Sequence, residues 1–266
     1  MKQKLRDALA AFHRYNGDGN AAALFTGFDP ETEYDALVIA PTWDAPRVFK
    51  DEAFQITPTH LGANDSEWLV ERDGVRLAWI MTHMGAPNVT DHLALCAELN
   101  FRTLLFVGSV GGLSPEIPYA GLYTPEWCVA GVGANAYLGD RLADHAPLAR
   151  VYPNDPAFVD RVIAAAAGAG HSIARAPVYC TDSLTFEYLH LDEIRATGAK
   201  LIEMETCAFY ALADLMEKPA AALLVVSDNS AAGVRLFGKS AEEKAPYYDV
   251  RERVIPELVF LAAKEG

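Results

Sequence analysis

Two unbroken apolar runs limit the folds open to this chain more than any other feature. Leu104–Val107 runs into Gly108-Ser109, and Ala221–Val226 runs into Ser227-Asp228. A strand with no polar alternation has to be buried on both faces, which is the situation of a parallel strand covered by helices. Between these runs the pattern keeps switching. DALVIA at 35–40 reads as a short buried strand closed by Pro41, and 67–81 splits into a hairpin around Asp73-Gly74. Further strands are expected at 121–130, 172–180 and 220–227, and a strand at Thr103–Val107 leads into the glycines. Helical spacing marks 2–15, 88–99, 155–167, 190–197, 204–216 and 246–264. The Ala-rich stretch 164–169 is stopped by Gly168 and Gly170. This alternation implies an α/β protein with a mixed, mostly parallel central sheet between helical layers. In such sheets ligands bind beyond the carboxyl ends of the strands, so Gly108-Ser109, Tyr179–Asp182 and Ser227-Asp228 draw attention.

With 266 residues, 51% of them hydrophobic, one large core suffices. The formal net charge of −14 repels polyphosphate backbones and argues against nucleic acid as a partner, although a pocket could still hold one small anion. Cys96, Cys128, Cys180 and Cys207 form no C-x-x-C pair and read as reduced structural residues. No secretory signal, lipidation site or membrane-length apolar window is evident, so a cytoplasmic protein that does not engage membranes is the expectation. The seven histidines lack metal-ligand spacing, and no metal is expected.

Three segments have the composition for chemistry. Ile202-Glu-Met-Glu205 places Glu203 and Glu205 around Met204 where a helix opens. Acids there favour the helix dipole, but the apolar lead-in AKLI makes enclosure of at least one carboxylate the expectation. Asp228, ending a buried run, either starts a turn or sits enclosed with a raised pKa, as a general acid requires. The glycines of Gly108-Ser-Val-Gly-Gly112 let backbone approach a ligand and offer N–H groups, or else make a plain turn. Gly131-Val-Gly-Ala-Asn-Ala136 fits a loose dinucleotide pattern. Its mid-chain position and the following Pro147 and Pro153 argue against a βαβ unit.

In order along the chain, these landmarks resemble the nucleoside phosphorylase-I superfamily. The matching segments are Thr82-His-Met-Gly85, Leu105-Phe-Val-Gly-Ser-Val-Gly-Gly-Leu113, Thr181-Asp-Ser-Leu-Thr-Phe186, Ile202-Glu-Met-Glu205 and Val226-Ser-Asp228. The resemblance covers roughly residue 35 onward. It implies a phosphorylase-like domain at 35–266 behind a helical extension at 1–34, and an enzyme that cleaves the N-glycosidic bond of a nucleoside or nucleotide, with a purine as its base. It also implies roles. Glu205 would hold the ribose hydroxyls, and Met204 and Met84 would pack on the sugar. Phe186, or Leu184 in its place, would stack on the base. Asp228 would donate to purine N7, steadied by Lys244. Glu203, Ser109 and Gly111 would complete the substrate site. Family members assemble as homo-oligomers, and a neighbouring subunit often completes the 5′ site, with His13 and His60 as candidate donors.

Departures from the family pattern bear on the nucleophile. Phosphorolytic members carry an arginine two residues before the first glycine of the strand–loop, and here that residue is Phe106. The phosphate loop near the first strand is replaced by Pro41-Thr-Trp-Asp-Ala-Pro-Arg47, where Arg47 could partly compensate and Asp44 could orient a water. Loss of a bidentate guanidinium from an anion site is a large change. TDSLTFE and the stretch 227–248 are more similar to short AMP nucleosidases. Hydrolysis without a cofactor is therefore favoured, with phosphate as a co-substrate in the alternative. A non-catalytic nucleoside-binding module is the reading from another class.

Overall fold

The computed structural model describes residues 1–17, 19–60, 66–131, 133 and 148–266. Helices α1 (Gln3–Asn16) and α2 (Ala21–Thr26) lead into β1 (Tyr34–Ile39), the short α3 (Ala45–Val48) and β2 (Gln55–Pro58). The hairpin β3 (Glu67–Arg72) and β4 (Val75–Ile80) turns on Asp73 and Gly74, both at positive φ, as an Asp-Gly turn of this kind requires. Then follow α4 (Ala86–Cys96), β5 (Phe101–Gly112), β6 (Leu122–Ala130), β7 (Arg150–Val151), α5 (Pro156–Gly168), β8 (Ala174–Cys180), a 3₁₀ turn at Phe186–Leu189 and α6 (Leu191–Ala196). The chain closes with β9 (Leu201–Glu203), α7 (Thr206–Met216), β10 (Ala220–Asn229), α8 (Ala241–Asp249) and α9 (Ile255–Lys264). A π-helical turn, Val250–Val254, joins the last two helices.

The sheet is mixed, as expected. Its parallel pairings join β4, β1, β5 and β10, and separately β6, β8 and β9. The β2–β3–β4 edge is antiparallel. Antiparallel pairings of β6 with β10 and of β9 with β5 close β5, β10, β6, β8 and β9 into a ring. Side chains alternate strictly along the central strands. Leu104, Phe106, Leu224 and Val226 pack into the core beneath α1, α2, α4 and α7. Leu105, Val107, Leu223 and Val225 pack into the opposite core with α5 and α9. The two apolar runs are therefore buried on both faces, which gives the α/β/α layering.

The N-terminal helices do not stand apart, because Leu5, Leu9, Ala22 and Phe28 share the first of these cores. Local signals set the helix ends. Asn20 accepts from Ala23 N at 2.8 Å and Asp155 from Phe158 N at 2.9 Å, while Ser240 and Glu243 make a reciprocal capping box on α8. That box starts α8 at Ala241, ahead of the expected residue 246, and Pro246 is accommodated inside the helix. Residues 108–112, expected to form a loop after the strand, continue β5 instead, because β10 pairs with them through Asn229↔Gly112.

Candidate active site

The position of the site follows from how β5 is shared. On one side it pairs with β10 along its whole second half. On the other side β1 leaves at Phe106 and β9 joins only at Gly111. Between them, over residues 107–110, no strand among the described residues completes the ladder. Diverging strands of this kind open a crevice in an α/β sheet. A cavity of about 420 Å³ lies there, lined by Pro41 and Thr42 after β1, Gly108–Gly111 of β5, Ile202–Glu205 around β9, and Ser227-Asp228 of β10.

Asp228 is aimed by a bulge. The β10–β5 register runs Val226↔Val110 and then Asp228↔Gly111, leaving Ser227 as the extra residue. Asp228 is 9% exposed, and Ser227 Oγ donates to its Oδ1 at 2.7 Å. Burial raises its pKa, opposed by the Ser227 hydroxyl and by the charge of Lys239. A Cβ on Gly111 would lie 3.2 Å from Asp228 Oδ2, so the glycine makes room for this carboxyl. The next residue, Asn229, is fully buried and anchors the strand end. Its Nδ2 donates to Ser114 O and Ile117 O, and its Oδ1 accepts from Ala231 N and Ala232 N.

The acids around Met204 separate into two jobs. Glu203 Oε1 accepts from the Cys180 thiol and the Thr206 hydroxyl, both at 2.8 Å, and Oε2 accepts from Glu205 N and Thr206 N at 2.8 Å. It touches the cavity wall, yet its lone pairs are spent on organising the start of α7. Glu205 is the freer acid. It accepts Gly85 N at 2.5 Å and lines the cavity with Met204 and Met84. Burial raises its pKa, and the neighbouring Glu203 adds to the effect. Burial raises the pKa of Glu203 as well, and its four donors oppose that shift by favouring the charged form.

Ser109, Gly111, Leu184 and Lys244 also line the cavity. Ser109 Oγ and Tyr247 Oη lie 2.6 Å apart. Phe106, 1% exposed, packs against Phe209 at the position where the resemblance would put a guanidinium. Several expected residues lie outside the lining. Phe186 is 42% exposed, because the 3₁₀ turn begun by Phe186 N donating to Ser183 Oγ turns it outward and Glu187 inward. Leu184 and, at the mouth, Phe237 present the apolar surface instead. Asp44 caps α3 by accepting from Arg47 N at 2.8 Å, and it pairs with Arg47 Nε at 3.0 Å, which holds both away from the cavity. His13 bonds Glu98 at 2.6 Å, and neither it nor His60 lines the cavity. Most of the Gly131–Ala136 string falls outside the described residues.

Sequence reasoning missed Lys239, Glu187, Tyr119 and Tyr247. Lys239 is the cation that acts on Asp228. Its Nζ donates to Ser227 O at 2.9 Å, to Leu236 O at 3.2 Å and to Arg235 O, tying the loop after β10 to the strand end. A lysine in a loop carries no periodic signal. Glu187, by contrast, stood next to a quoted landmark. No group of His, Cys, Asp and Glu among the described residues is arranged to hold a metal, and no helix among them is long and apolar enough to cross a membrane.

Known proteins resemble this chain in sequence or in fold. Two DeoD-type purine nucleoside phosphorylases align with the chain. That of Listeria welshimeri is 25% identical over 174 residues, covering 64% of this chain and 70% of the relative. That of Limosilactobacillus reuteri is 24% identical over 190 residues, covering 71% and 74%. Two solved structures share the fold. The 5′-methylthioadenosine/S-adenosyl homocysteine nucleosidase of Campylobacter jejuni superposes with a TM-score of 0.66 at 16% identity, covering 86% of this chain and 98% of that one. The AMP nucleosidase of Bacteroides thetaiotaomicron superposes with a TM-score of 0.60 at 18% identity, covering 92% and 96%. The family model described as the phosphorylase superfamily matches residues 59–251, well over half of the chain, and with the fold and the crevice it shows that this protein belongs to that superfamily.

Proposed function

We propose that the protein cleaves the N-glycosidic bond of a purine nucleoside or nucleotide, and that the nucleophile is water. Cleavage builds positive charge on the ribose and negative charge on the departing base. Asp228, its carboxyl pKa raised by burial, donates to the base at N7. Glu205 accepts hydrogen bonds from the ribose hydroxyls, which draw it into its charged form beside the developing oxocarbenium. Met204 and Met84 cover the sugar. With Asp44 committed to its cap, Glu205 is also the carboxylate that positions the water.

Phe106 carries the choice of nucleophile. A dianion entering a dehydrated pocket must be neutralised, and the residue in that place is a buried phenyl ring, while Arg47 is paired to Asp44. Among the described residues the lining contains no arginine, and its basic side chains are Lys239 and Lys244. These two lysines, and the phosphorylases among the sequence relatives, support the second reading, phosphorolysis. A product assay on a nucleoside panel with and without phosphate separates the two. Free sugar in phosphate-free buffer is the expected product, with little acceleration by phosphate. An enzyme inert without phosphate that releases sugar 1-phosphate with it overturns hydrolysis, and no turnover under either condition favours a binding module.

A further inference from the structure

The mechanism above gives no work to Tyr247, which lines the crevice together with Ser109. Their hydroxyl oxygens lie 2.6 Å apart. Tyr247 is 8% exposed, and its ring meets Trp43 edge-on at 6.3 Å between centroids and Tyr119 in a stack at 6.5 Å. Burial raises its pKa against the pull of Ser109, Arg251 and Trp43, so the phenol keeps its proton at neutral pH. Arg251 is itself paired with Glu252 and lies outside the lining. Trp43 belongs to the Pro41–Arg47 segment after β1, and Trp79 Nε1 anchors its carbonyl at 2.9 Å. Pro41 and Phe106 add apolar wall beside Gly108, the Phe106 ring lying 3.1 Å from where a Cβ on that glycine would stand. The hydroxyl pair is thus held rigidly in an uncharged, largely aromatic part of the crevice.

Each hydroxyl brings one proton and two lone pairs. Their mutual bond consumes one proton and one lone pair, whichever oxygen donates. The pair therefore keeps one O–H donor and free lone pairs side by side. That combination suits a small neutral molecule that both gives and takes hydrogen bonds. A phosphate anion would face the lone pairs and the aromatic wall with its charge uncompensated. We propose that Tyr247 and Ser109, as one hydrogen-bonded pair, hold the attacking water. The water accepts the free O–H of the pair and donates to one of its lone pairs. As the C–N bond breaks, the base leaves with the bonding electrons and takes a proton from Asp228. The water oxygen bonds the anomeric carbon, and its surplus proton passes to Glu205. The inference rests on the hydrolytic reading above and deepens it by naming the residues that hold the nucleophile.

Steady-state hydrolysis in phosphate-free buffer, on the best substrate of the nucleoside panel, tests this with Tyr247→Phe, Ser109→Ala and the double variant. Tyr247→Phe keeps the ring and its packing and removes only the hydroxyl. It should lower kcat about tenfold, the worth of one net hydrogen bond, with KM within about twofold of wild type. Ser109→Ala should fall by a similar factor. The double variant should be no more than about twofold slower than the slower single variant, because a pair that acts as a unit is lost only once. Melting transitions of the three variants check folding. A folded Tyr247→Phe enzyme with wild-type kcat overturns the proposal. So does a loss carried by KM, which would place the hydroxyl on the substrate, or a pair of losses that multiply in the double variant. The wild type alone reports on the parent reading. If it turns over only with phosphate, releasing sugar 1-phosphate, or turns over nothing, hydrolysis itself fails, a result distinct from all of these.

Discussion

The residues of the cavity show how similar side chains are driven to different work by what surrounds them. Asp228, Glu187, Glu203 and Glu205 are all buried carboxyls within one crevice. Burial raises the pKa of Asp228 against the pull of one side-chain donor and a nearby lysine, the direction that a group giving a proton to a leaving base requires. Asp228→Asn should preserve folding and slow base release by about 10²-fold or more, the scale of a lost general acid. A variant with near-normal kcat removes Asp228 from the mechanism. Glu205 faces the sugar, so Glu205→Gln should lower kcat/KM for ribosides more than for 2′-deoxyribosides, and equal losses would point to a purely structural role. Glu203 has no lone pair to spare. Glu203→Ala strands two backbone N–H groups, a thiol and a hydroxyl, and should cost about 3 kcal/mol or more in denaturant unfolding. A loss under about 1 kcal/mol would mean that the four donors find other partners.

At the scale of elements, the crevice depends on how closely β5, β9 and β10 approach. Neither Gly111 nor Gly112 has a left-handed backbone angle, so they serve proximity and not turn geometry. A Cβ on Gly112 would sit 2.6 Å from Asn229 Cγ and Nδ2, and Asn229 cannot retreat without breaking four hydrogen bonds. Gly112→Ala should therefore lose about 1–3 kcal/mol of stability, as overpacking does. A Cβ on Gly111 meets Ile202 Cγ2 at 3.0 Å and Asp228 Oδ2 at 3.2 Å, a milder crowding that acts on the carboxyl itself. Gly111→Ala should fold with little loss of melting temperature, yet slow turnover by about tenfold or more through displacement of Asp228. Full activity in that variant would show that the bulge at Ser227 does not fix the acid's position.

For the whole molecule, enclosing several acids in one crevice has a consequence for stability. Glu187 binds its proton more tightly folded, at about 8, than its ordinary value of 4.5. Between these values the folded state holds more protons than the unfolded chain, so stability falls as pH rises through this window. Asp228 and Glu205, also raised, act in the same direction. Without ligand, the melting temperature of the wild type should decline from about pH 5 to pH 8 more steeply than that of Glu187→Gln, which has no proton to lose. Parallel profiles for the two proteins would show that Glu187 is already ionised across this range.

Much of this architecture was legible in the chain. The runs Leu104–Val107 and Ala221–Val226 determined strands buried on both faces, Asp73-Gly74 determined the hairpin, and Asp155 with the glycines after residue 167 set the limits of α5. The order of the E-M-E, S-D and glycine landmarks determined the superfamily. These properties are local or periodic, and a neighbour in sequence is enough to express them. The ring closure through β9, a strand of three residues, was not legible, because its pairing with Gly111 and Gly112 joins segments some 90 positions apart. The same holds at the site. Whether Phe186 or Glu187 faces the cavity depends on a single 3₁₀ turn, and adjacent residues on such a turn differ by about a third of a revolution. Glu203 and Glu205 look alike in sequence and diverge only because Cys180 and Thr206 converge on one of them. The chain alone determined which chemistry-bearing residues arrive at the carboxyl ends of the strands. Only the tertiary structure decided which of their lone pairs and protons remain free, since burial and hydrogen bonding are set by residues distant in sequence.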